Sequence, residues 1–374
     1  MSGAIAAAPR AKAGSSLRLV ELRDVRLFVE ARLELVPDAT TVLTGPNGSG
    51  KTTFLEAVGY LGSQRSFRTS AREVMVRSGQ ERAIVRAQLE RDGRPLLVES
   101  ELDARGSTRT LVNRRLVRGR ALLSDAVPVT VFSPEDLGLV QGAPARRREL
   151  LDAALRMTDP RAAADLDEME RVLRQRAALL RQAGGGLGER ITSTLDVWDE
   201  RLAATGQAVS DARRSLVERA EPLVAEAYAA VAGLCTGAEV AMSYVPGWEG
   251  ELHVALEASR REDLRRAMSC VGPHRDEVLL SIEGREARTR ASQGEQRSLA
   301  LALRLGLHRL VTEQRGVAPL LLLDDVFSEL DSERSRALLK HLPGQQAILT
   351  TAARLPEGVE LGAIVDVRTT GRRA

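Results

Sequence analysis

The stretch Gly45-Pro46-Asn47-Gly48-Ser49-Gly50-Lys51-Thr52 decides the fold of this chain. The β-prone residues Thr41–Thr44 precede it, and a helix-like run begins at Thr53. Glycines in such a loop let successive backbone N–H groups face a row of phosphates, and the start of the next helix adds positive potential. The pattern therefore predicts a phosphate-binding loop (P-loop) between a strand and a helix.

The lysine of this loop strengthens the prediction. The chain has 51 arginines but only three lysines, Lys12, Lys51 and Lys340, so a chance match to the motif is rare. A compact ammonium fits inside a loop where a guanidinium fork does not. We expect residues 45–53 to bind a nucleotide, with Lys51 at the β- and γ-phosphates and Thr52 on Mg²⁺. The alternative is a glycine-rich turn with an accidental lysine.

Composition narrows the class of protein. Hydrophobic residues make up 43% and aromatic residues 3%, so the core must be built from Leu, Val and Ala. The formal net charge is only +3, so any basic site must be local. Two cysteines, Cys235 and Cys270, do not suggest a disulfide framework, and no apolar run approaches the ~20 residues of a membrane span. We interpret residues 1–16 as a disordered extension and expect a cytoplasmic protein.

The pattern of apolar residues changes along the chain, from β-like runs after the P-loop to long helical runs further on. Three β-like runs follow the P-loop helix, and we expect them to form an inserted antiparallel region: residues 83–90, 95–102 and 109–117. From about Arg161 the pattern becomes long, charged helix, and apolar residues from Leu195 to Leu216 keep 3-4 spacing. An antiparallel helical hairpin fits this pattern, either as an ordinary subdomain or as a protruding arm. Pro222 is expected to kink or end its second leg.

A wholly apolar run, Pro319–Leu323, ends in Asp324 and Asp325. A strand buried on both faces of a parallel sheet has this composition, and ligands bind at the carboxyl ends of such strands. We expect Asp324 to hold Mg²⁺ and Asp325 to orient the attacking water. The alternative is a buried strand that ends at a solvated acidic turn.

A second anion site is predicted at Ser292-Gln293-Gly294-Glu295-Gln296, because this segment precedes a clear helix-like run. Two phosphate cradles on one chain suggest that two copies of the chain close over shared nucleotides. The segment Ser328–Asp331 would lie at such a junction, or it is simply a helix cap.

These motifs, in this order and with a helical insertion, resemble an ABC-type ATPase head of the SMC kind. Further segments narrow the resemblance to the RecF family of bacterial recombination mediators, over roughly residues 17–370: Ser66–Thr69, Phe132–Leu137, Pro144–Asp152 and Gly272–Asp276. The resemblance implies an α/β fold, namely an ABC-type P-loop ATPase head (mixed sheet plus antiparallel β region) with an inserted, mostly helical arm domain. The implied division is an extension at 1–16, a first head half at 17–158, the arm at 159–267 and a second head half at 268–374.

The resemblance also implies a function. The family is expected to dimerise on ATP with Mg²⁺, to bind gapped DNA or single-strand/duplex junctions without sequence preference, and to act with RecO- and RecR-type mediator proteins in loading a recombinase. Hydrolysis would be slow and DNA-stimulated, and no membrane is involved. Ser292, Gly294 and Gln296 would contact the partner's nucleotide. The alternative function is the nucleotide-binding subunit of an ABC transporter; a structural SMC protein would need a far longer insertion.

Several positions depart from the pattern of such heads: Asp325 for Glu, Pro134 or Glu135 for the loop glutamine, Thr350-Thr351 for the switch histidine, Glu295 for Gly, and Asp24–Phe28 for a tyrosine-bearing segment. Of these, Asp325, Pro134 and Thr351 favour a switch over a fast hydrolase. His274 is either catalytic or shapes its loop.

Two arginine clusters are candidates for DNA contacts, and solvated surface is the alternative for both. The first is Arg146, Arg147 and Arg148; the second is Arg114, Arg115, Arg118 and Arg120.

Overall fold

The computed structural model describes residues 15–69, 71–117, 119–183, 188–232, 239–328, 335, 346–351 and 362–373. The chain divides into two compact units. Unit 1 comprises residues 1–136, 229–235 and 308–374, and unit 2 comprises residues 137–228 and 236–307. The boundaries expected at 158/159 and 267/268 both fall inside unit 2. The reason for the first is that the helix starting at Pro144 packs against the helix that follows it.

In the described part of the chain the strands are β1 (Ser16–Val25), β2 (Phe28–Glu34), β3 (Thr40–Thr44), β4 (Arg82–Arg91), β5 (Arg94–Asp103), β6 (Thr108–Val112), β7 (Arg115–Val117), β8 (Val129–Phe132), β9 (Val240–Val245), β10 (Glu277–Ile282), β11 (Arg285–Glu286), β12 (Leu320–Asp324), β13 (Ala347–Thr350), β14 (Ala363–Asp366) and β15 (Gly371–Arg373). The helices are α1 (Lys51–Ser63), α2 (Arg120–Ala126), α3 (Gly138–Gln141), α4 (Pro144–Thr158), α5 (Pro160–Gln182), α6 (Glu189–Ala232), α7 (Leu252–Arg266), α8 (Ala287–Arg290) and α9 (Gln293–Arg315).

A parallel sheet of order β14-β3-β13-β12-β8 is the centre of unit 1. All five residues of β12 are buried, as the apolar run at Pro319–Leu323 predicts. Helix α1 packs on this sheet, and most of its residues are buried. The parallel arrangement brings the carboxyl ends of β3, β12 and β13 to one edge, which is where the P-loop and the two carboxylates lie.

The antiparallel strands form one sheet of order β15-β2-β1-β4-β5-β6-β7. Strand β4 pairs directly with β1, so the region expected as a separate insertion continues the sheet that begins the chain. The single run expected at 109–117 is two strands. Asn113 and Arg114 both have positive φ (47° and 64°), which is the backbone of a tight two-residue hairpin turn between β6 and β7.

Long helices dominate unit 2. Helix α5 begins after Asp159, whose carboxylate accepts from the N–H groups of Arg161 and Ala162. Helices α5 and α6 run antiparallel, since Arg176 contacts Asp199 and Leu180 lies in one apolar cluster with Leu195. The hairpin prediction is therefore confirmed.

Pro222 does not end the second leg, because α6 continues through it to Ala232. A proline removes one helical hydrogen bond, but Val217, Ala220 and Val224 around it are buried. Their packing outweighs that loss.

A buried ion network ties α5, α6 and α7 together. The two carboxylate oxygens of Asp199 accept from Arg176 Nε and Arg260 Nε, each at 2.7 Å. Arg176 Nη1 also pairs with Asp263 at 2.6 Å, and the side chains of Arg176, Asp199 and Asp263 are 0% exposed. Asp196 joins from the surface, 2.6 Å from Arg260 Nη2 with its side chain 58% exposed. Charges this deeply buried are stable only while each keeps its partner.

Candidate nucleotide site

The backbone of the P-loop has the shape that its glycines predict. Gly45, Gly48 and Gly50 have φ of 140°, 77° and 94°, a region that side-chain-bearing residues rarely adopt. A Cβ on Gly50 would lie 2.6 Å from ring carbons of Phe28, so glycine is required there on packing grounds as well. Helix α1 then begins at Lys51, and the N–H groups of its first turn point back toward the loop.

Lys51 lies inside this loop with 7% of its surface exposed. Its Nζ donates to the carbonyl of Gly45 at 2.7 Å and to that of Pro46 at 3.1 Å. These contacts hold the ammonium at the mouth of the glycine-rich turn. An ammonium held there would meet a phosphate chain lying along residues 45–53.

The hydroxyl of Thr52 joins the P-loop to the carboxylates. Thr52 Oγ1 donates to Asp324 Oδ1 at 2.8 Å, although the two residues are 272 positions apart in sequence. Thr350 Oγ1 donates to the same oxygen at 2.8 Å and accepts from the backbone N–H of Asp325 at 2.9 Å. One threonine therefore fixes both acidic residues, and Asp325 has a left-handed backbone with φ of 47°.

The oxygen pair of Thr52 and Asp324 suits Mg²⁺. Adjacent ligands of an octahedral magnesium ion are about 2.9 Å apart, since each lies about 2.0–2.1 Å from the metal. The observed 2.8 Å matches that edge. Burial raises the pKa of Asp324, while the hydroxyls of Thr350 and Thr52 act in the opposite direction. The described residues contain no group of three or more His, Cys, Asp or Glu side chains able to cage a metal.

A buried glutamate on α1 positions the Ser66–Thr69 loop beside this site. Glu56 is 0% exposed and accepts from Arg26 at 2.6 and 3.0 Å and from Ser66 Oγ at 2.5 Å. Arg68 lies 3.7 Å from Glu56, and its charge weakly opposes the burial that raises the pKa of Asp324. Sequence reasoning missed Glu56, although a charged residue inside an otherwise apolar helix was the available signal.

The segment Ser292–Gln296 lies in unit 2 and forms a capping box. Ser292 Oγ and N both donate to Glu295 Oε2 at 2.7 Å, and Glu295 N donates back to Ser292 Oγ at 3.3 Å. The Ser292 hydroxyl lowers the pKa of Glu295. The helix start expected here is therefore present. The hydroxyl of Ser292, which was expected to meet phosphate, is hydrogen-bonded to the carboxylate of Glu295.

Gln296 does not face outward as a nucleotide ligand would. It is 5% exposed, and its Nε2 donates to the carbonyls of Ala287 and Arg288 at 2.9 and 3.0 Å. Its Oε1 accepts from Gln141 at 2.6 Å. The amide thus holds the segment in place, and this geometry argues against direct contact with a nucleotide. Of Ser328–Asp331, residues 329–331 lie outside the described part of the chain.

Two members of the first arginine cluster are committed to contacts within unit 2. Arg147 is buried and binds Glu277 through Nε and Nη2, both at 2.9 Å. Arg148 Nη1 donates to the carbonyl of Asp276 at 2.5 Å, and burial lowers its pKa. Only Arg146 of the three is exposed. Arg147 is buried in its ion pair and Arg148 is half-buried, so this geometry argues against the phosphate contacts expected of these two residues, which stay a prediction.

In the second cluster Arg114 and Arg115 are exposed on the β6–β7 hairpin, while Arg118 lies outside the described residues.

The Gly272–Asp276 segment has a structural role. Asp276 accepts from Gly247 N at 2.7 Å, from Tyr244 Oη and from Arg213, and Arg213 also binds Asp152 at 2.7 and 2.8 Å. Burial lowers the pKa of His274 to about 4, and its Nε2 lies 2.8 Å from the carbonyl of Ser269. The histidine is therefore neutral at ordinary pH and shapes its loop.

Comparison with known proteins identifies the family. Residues 16–355 match the family described as RecF/RecN/SMC N terminal domain. The chain is 43% identical to the DNA replication and repair protein RecF of Frankia alni, over 89% of this chain and 92% of that protein. The chain is a member of the RecF family.

The RecF fold extends over nearly the whole chain. A solved structure of the recombination mediator protein RecF-ATP in the RecFOR pathway superposes with a TM-score of 0.86 at 27% identity, covering 98% of this chain and 100% of that one. An Smc head bound to the C-winged helix domain of ScpA shares the fold, with a TM-score of 0.51 at 15% identity over 91% and 90% of the two chains. The predicted ABC-type head and the RecF resemblance are confirmed. In the described part of this RecF-family chain, no helix is long and apolar enough to cross a membrane.

Proposed function

We propose that this chain is an ATP-gated, DNA-binding homodimer of recombinational repair. It binds gapped DNA or single-strand/duplex junctions without sequence preference and helps RecO- and RecR-type partners load a recombinase. The observation that carries the nucleotide part is the 2.8 Å contact between Thr52 and Asp324, which joins two motifs from distant parts of the chain. The names of the relatives, DNA replication and repair protein RecF, support the DNA part over a transporter subunit.

In this proposal the residues of the site divide the binding of the triphosphate, of Mg²⁺ and of the attacking water among them. Residues 45–53 hold the triphosphate through backbone N–H groups, and Lys51 neutralises its β- and γ-phosphates. Thr52 and Asp324 hold Mg²⁺, which offsets the phosphate charge when it is bound. Asp325 orients the attacking water. Aspartate is one methylene shorter than glutamate and reaches less far, so turnover is slow and the bound ATP acts as a switch.

The partner copy completes the site in this proposal. Ser292 and Gly294 at the start of α9 face the nucleotide of the second protomer, as a helix N-terminus favours an anion. Gln296 contributes by holding that helix start through Ala287 and Arg288. Dimerisation then depends on ATP because the nucleotide is the shared ligand.

Light scattering on size-exclusion eluates tests the gating. We expect the wild type to be a dimer with ATP and Mg²⁺ and a monomer without, and Lys51→Ala to remain a monomer in both. Lys51→Arg keeps the charge, and it should fail as well because the guanidinium does not fit the loop. An unchanged mass with and without ATP in the wild type would refute the gating.

A second measurement tests the DNA part. ATPase rates are compared with and without gapped DNA across a salt series. Backbone contacts predict stimulation that falls steeply with salt and does not depend on sequence. No stimulation by gapped, junction or duplex DNA at low salt would count against the proposal.

A further inference from the structure

A nucleotide on the P-loop has a defined direction in unit 1. The acidic residues and Thr350 lie at the ends of β12 and β13, on one side of β3. In the proposed site the γ-phosphate end of the nucleotide points toward them, since Thr52, Asp324 and Asp325 would hold Mg²⁺ and the attacking water there. The nucleoside must then extend to the other side of β3, where β14 is its neighbour.

The β1–β2 turn does not supply an aromatic surface for the base. Phe28 is the aromatic residue of the Asp24–Phe28 segment, and it is fully buried. Its ring centroid lies 5.3 Å from that of Phe54, and its ring carbons lie 2.6 Å from the position that a Cβ on Gly50 would take. A nucleobase cannot stack on a ring that is already inside the core, so a different planar group is needed.

The end of β14 presents such a group. Asp366 is in register with Thr44, the residue before the P-loop, and its Oδ1 lies 3.6 Å from where a Cβ on Gly45 would be. Arg368 forms a two-pronged pair with this carboxylate, with Nε at 3.0 and 3.1 Å and Nη2 at 2.6 Å. The Arg368 side chain is 60% exposed, so this paired guanidinium is accessible to a ligand near the start of the loop.

Further contacts within the turn hold Arg368 in this position. Asp366 Oδ1 also accepts from the backbone N–H of Arg368 at 2.9 Å, and Thr369 Oγ1 donates to the carbonyl of Asp366 at 2.8 Å. Val367 between them is fully buried. Arg368 lowers the pKa of Asp366 to about 2, so the pair stays charged at any working pH. The guanidinium is therefore pre-organised, which keeps the entropy cost of using it low.

We propose that the guanidinium plane of Arg368, held by Asp366, is the surface on which the purine of the bound nucleotide stacks. The inference rests on the proposed nucleotide site and adds the base subsite to it. A planar, weakly hydrated cation is suited to stacking on a π-system, whereas a lysine ammonium offers no plane. Stacking does not read base edges, so Arg368 contributes to ATP and GTP binding alike.

Calorimetric titrations of the full chain with Mg-ATP, Mg-GTP and Mg-tripolyphosphate test this assignment. Arg368→Ala should raise the Kd of ATP and GTP about tenfold, from the usual strength of a partly desolvated cation–π contact, and leave tripolyphosphate binding unchanged. Arg368→Lys should recover little of the loss. Arg372→Ala is the matched control, because Arg372 is an exposed arginine nearby on β15 and should bind all three ligands as the wild type does.

The outcomes separate the inference from the proposed function. If the wild type binds neither ATP nor tripolyphosphate, the nucleotide site itself fails. If the wild type binds ATP and Arg368→Ala binds it equally well, the stacking assignment is wrong. An equal loss for tripolyphosphate would mean that Arg368 acts on the phosphates as a charge. A loss confined to ATP would mean that it reads the base edge, and either result overturns stacking.

Discussion

Replacing Asp199 with asparagine should strongly destabilise unit 2. The two oxygens of Asp199 serve different buried arginines, Arg176 and Arg260, both at 2.7 Å. An amide would present N–H₂ to one guanidinium, and the remaining acidic partners would be Asp263 for Arg176 and the exposed Asp196 for Arg260. Breaking a fully buried pair in this way costs about 3–5 kcal/mol, against a total stability of about 5–15 kcal/mol for a typical domain. For a unit of this size the melting temperature should fall by roughly 6–20 °C.

The chain offers its own probe and control for this experiment. Both tryptophans, Trp198 and Trp248, lie in unit 2, so urea unfolding followed by tryptophan fluorescence reports on that unit. Asp196→Asn removes a carboxylate from the same Arg260, but Asp196 is 58% exposed, so its loss should cost less than about 1 kcal/mol. The difference between the two variants should persist in 1 M NaCl, because salt screens buried charges poorly. Equal unfolding midpoints for the two variants would refute the argument from burial.

Two further predictions concern unit 1. Gly50→Ala should lower the free energy of unfolding by about 2–5 kcal/mol, because the left-handed backbone and the clash with Phe28 both oppose a side chain. Gly48→Ala should lower it by only about 1–2 kcal/mol, because its Cβ would meet nothing within 4 Å. Chemical denaturation followed by circular dichroism measures both values, and equal losses would contradict the clash. Burial lowers the pKa of His308 from 6.5 to about 4, so below pH 6.5 the unfolded chain takes up a proton that the folded chain refuses. Unfolding free energy should therefore fall by up to about 1.4 kcal/mol per pH unit between pH 6.5 and 4, and His308→Gln should flatten that slope; a slope unchanged in the variant would contradict it.

The sequence predicted those features whose cause is local. The P-loop, the buried strand at β12 and the start of α9 each depend on a short run of residues, and each has the expected form. The 3-4 spacing of apolar residues was also sufficient to predict that the long segments of unit 2 are helical. The hairpin at Asn113 and Arg114 was missed because Asn-Arg lacks the glycine that usually marks such a turn.

The side chains whose partners were not predicted share a different explanation. Arg147 and Arg148 look like a solvated cluster in sequence, and only the fold brings Glu277 and Asp276 to them. Gln296 fits the expected motif, but its carbonyl partners on α8 are set by the neighbouring loop. Whether a charged or amide side chain faces outward depends on partners distant in sequence, and residue type alone does not supply them.

The position of β3 in its sheet has a consequence for biosynthesis. The strand that leads into the P-loop lies between β13 and β14, and both of these neighbours are made more than 300 residues later. At about 5–20 residues per second, a ribosome takes roughly 15–60 s to cover that interval. Throughout it β3 has neither lateral partner, so the parallel sheet around the P-loop cannot be completed until the end of the chain is made. A chain that stops translation before β14 should yield no nucleotide-binding fragment, however complete its glycine loop.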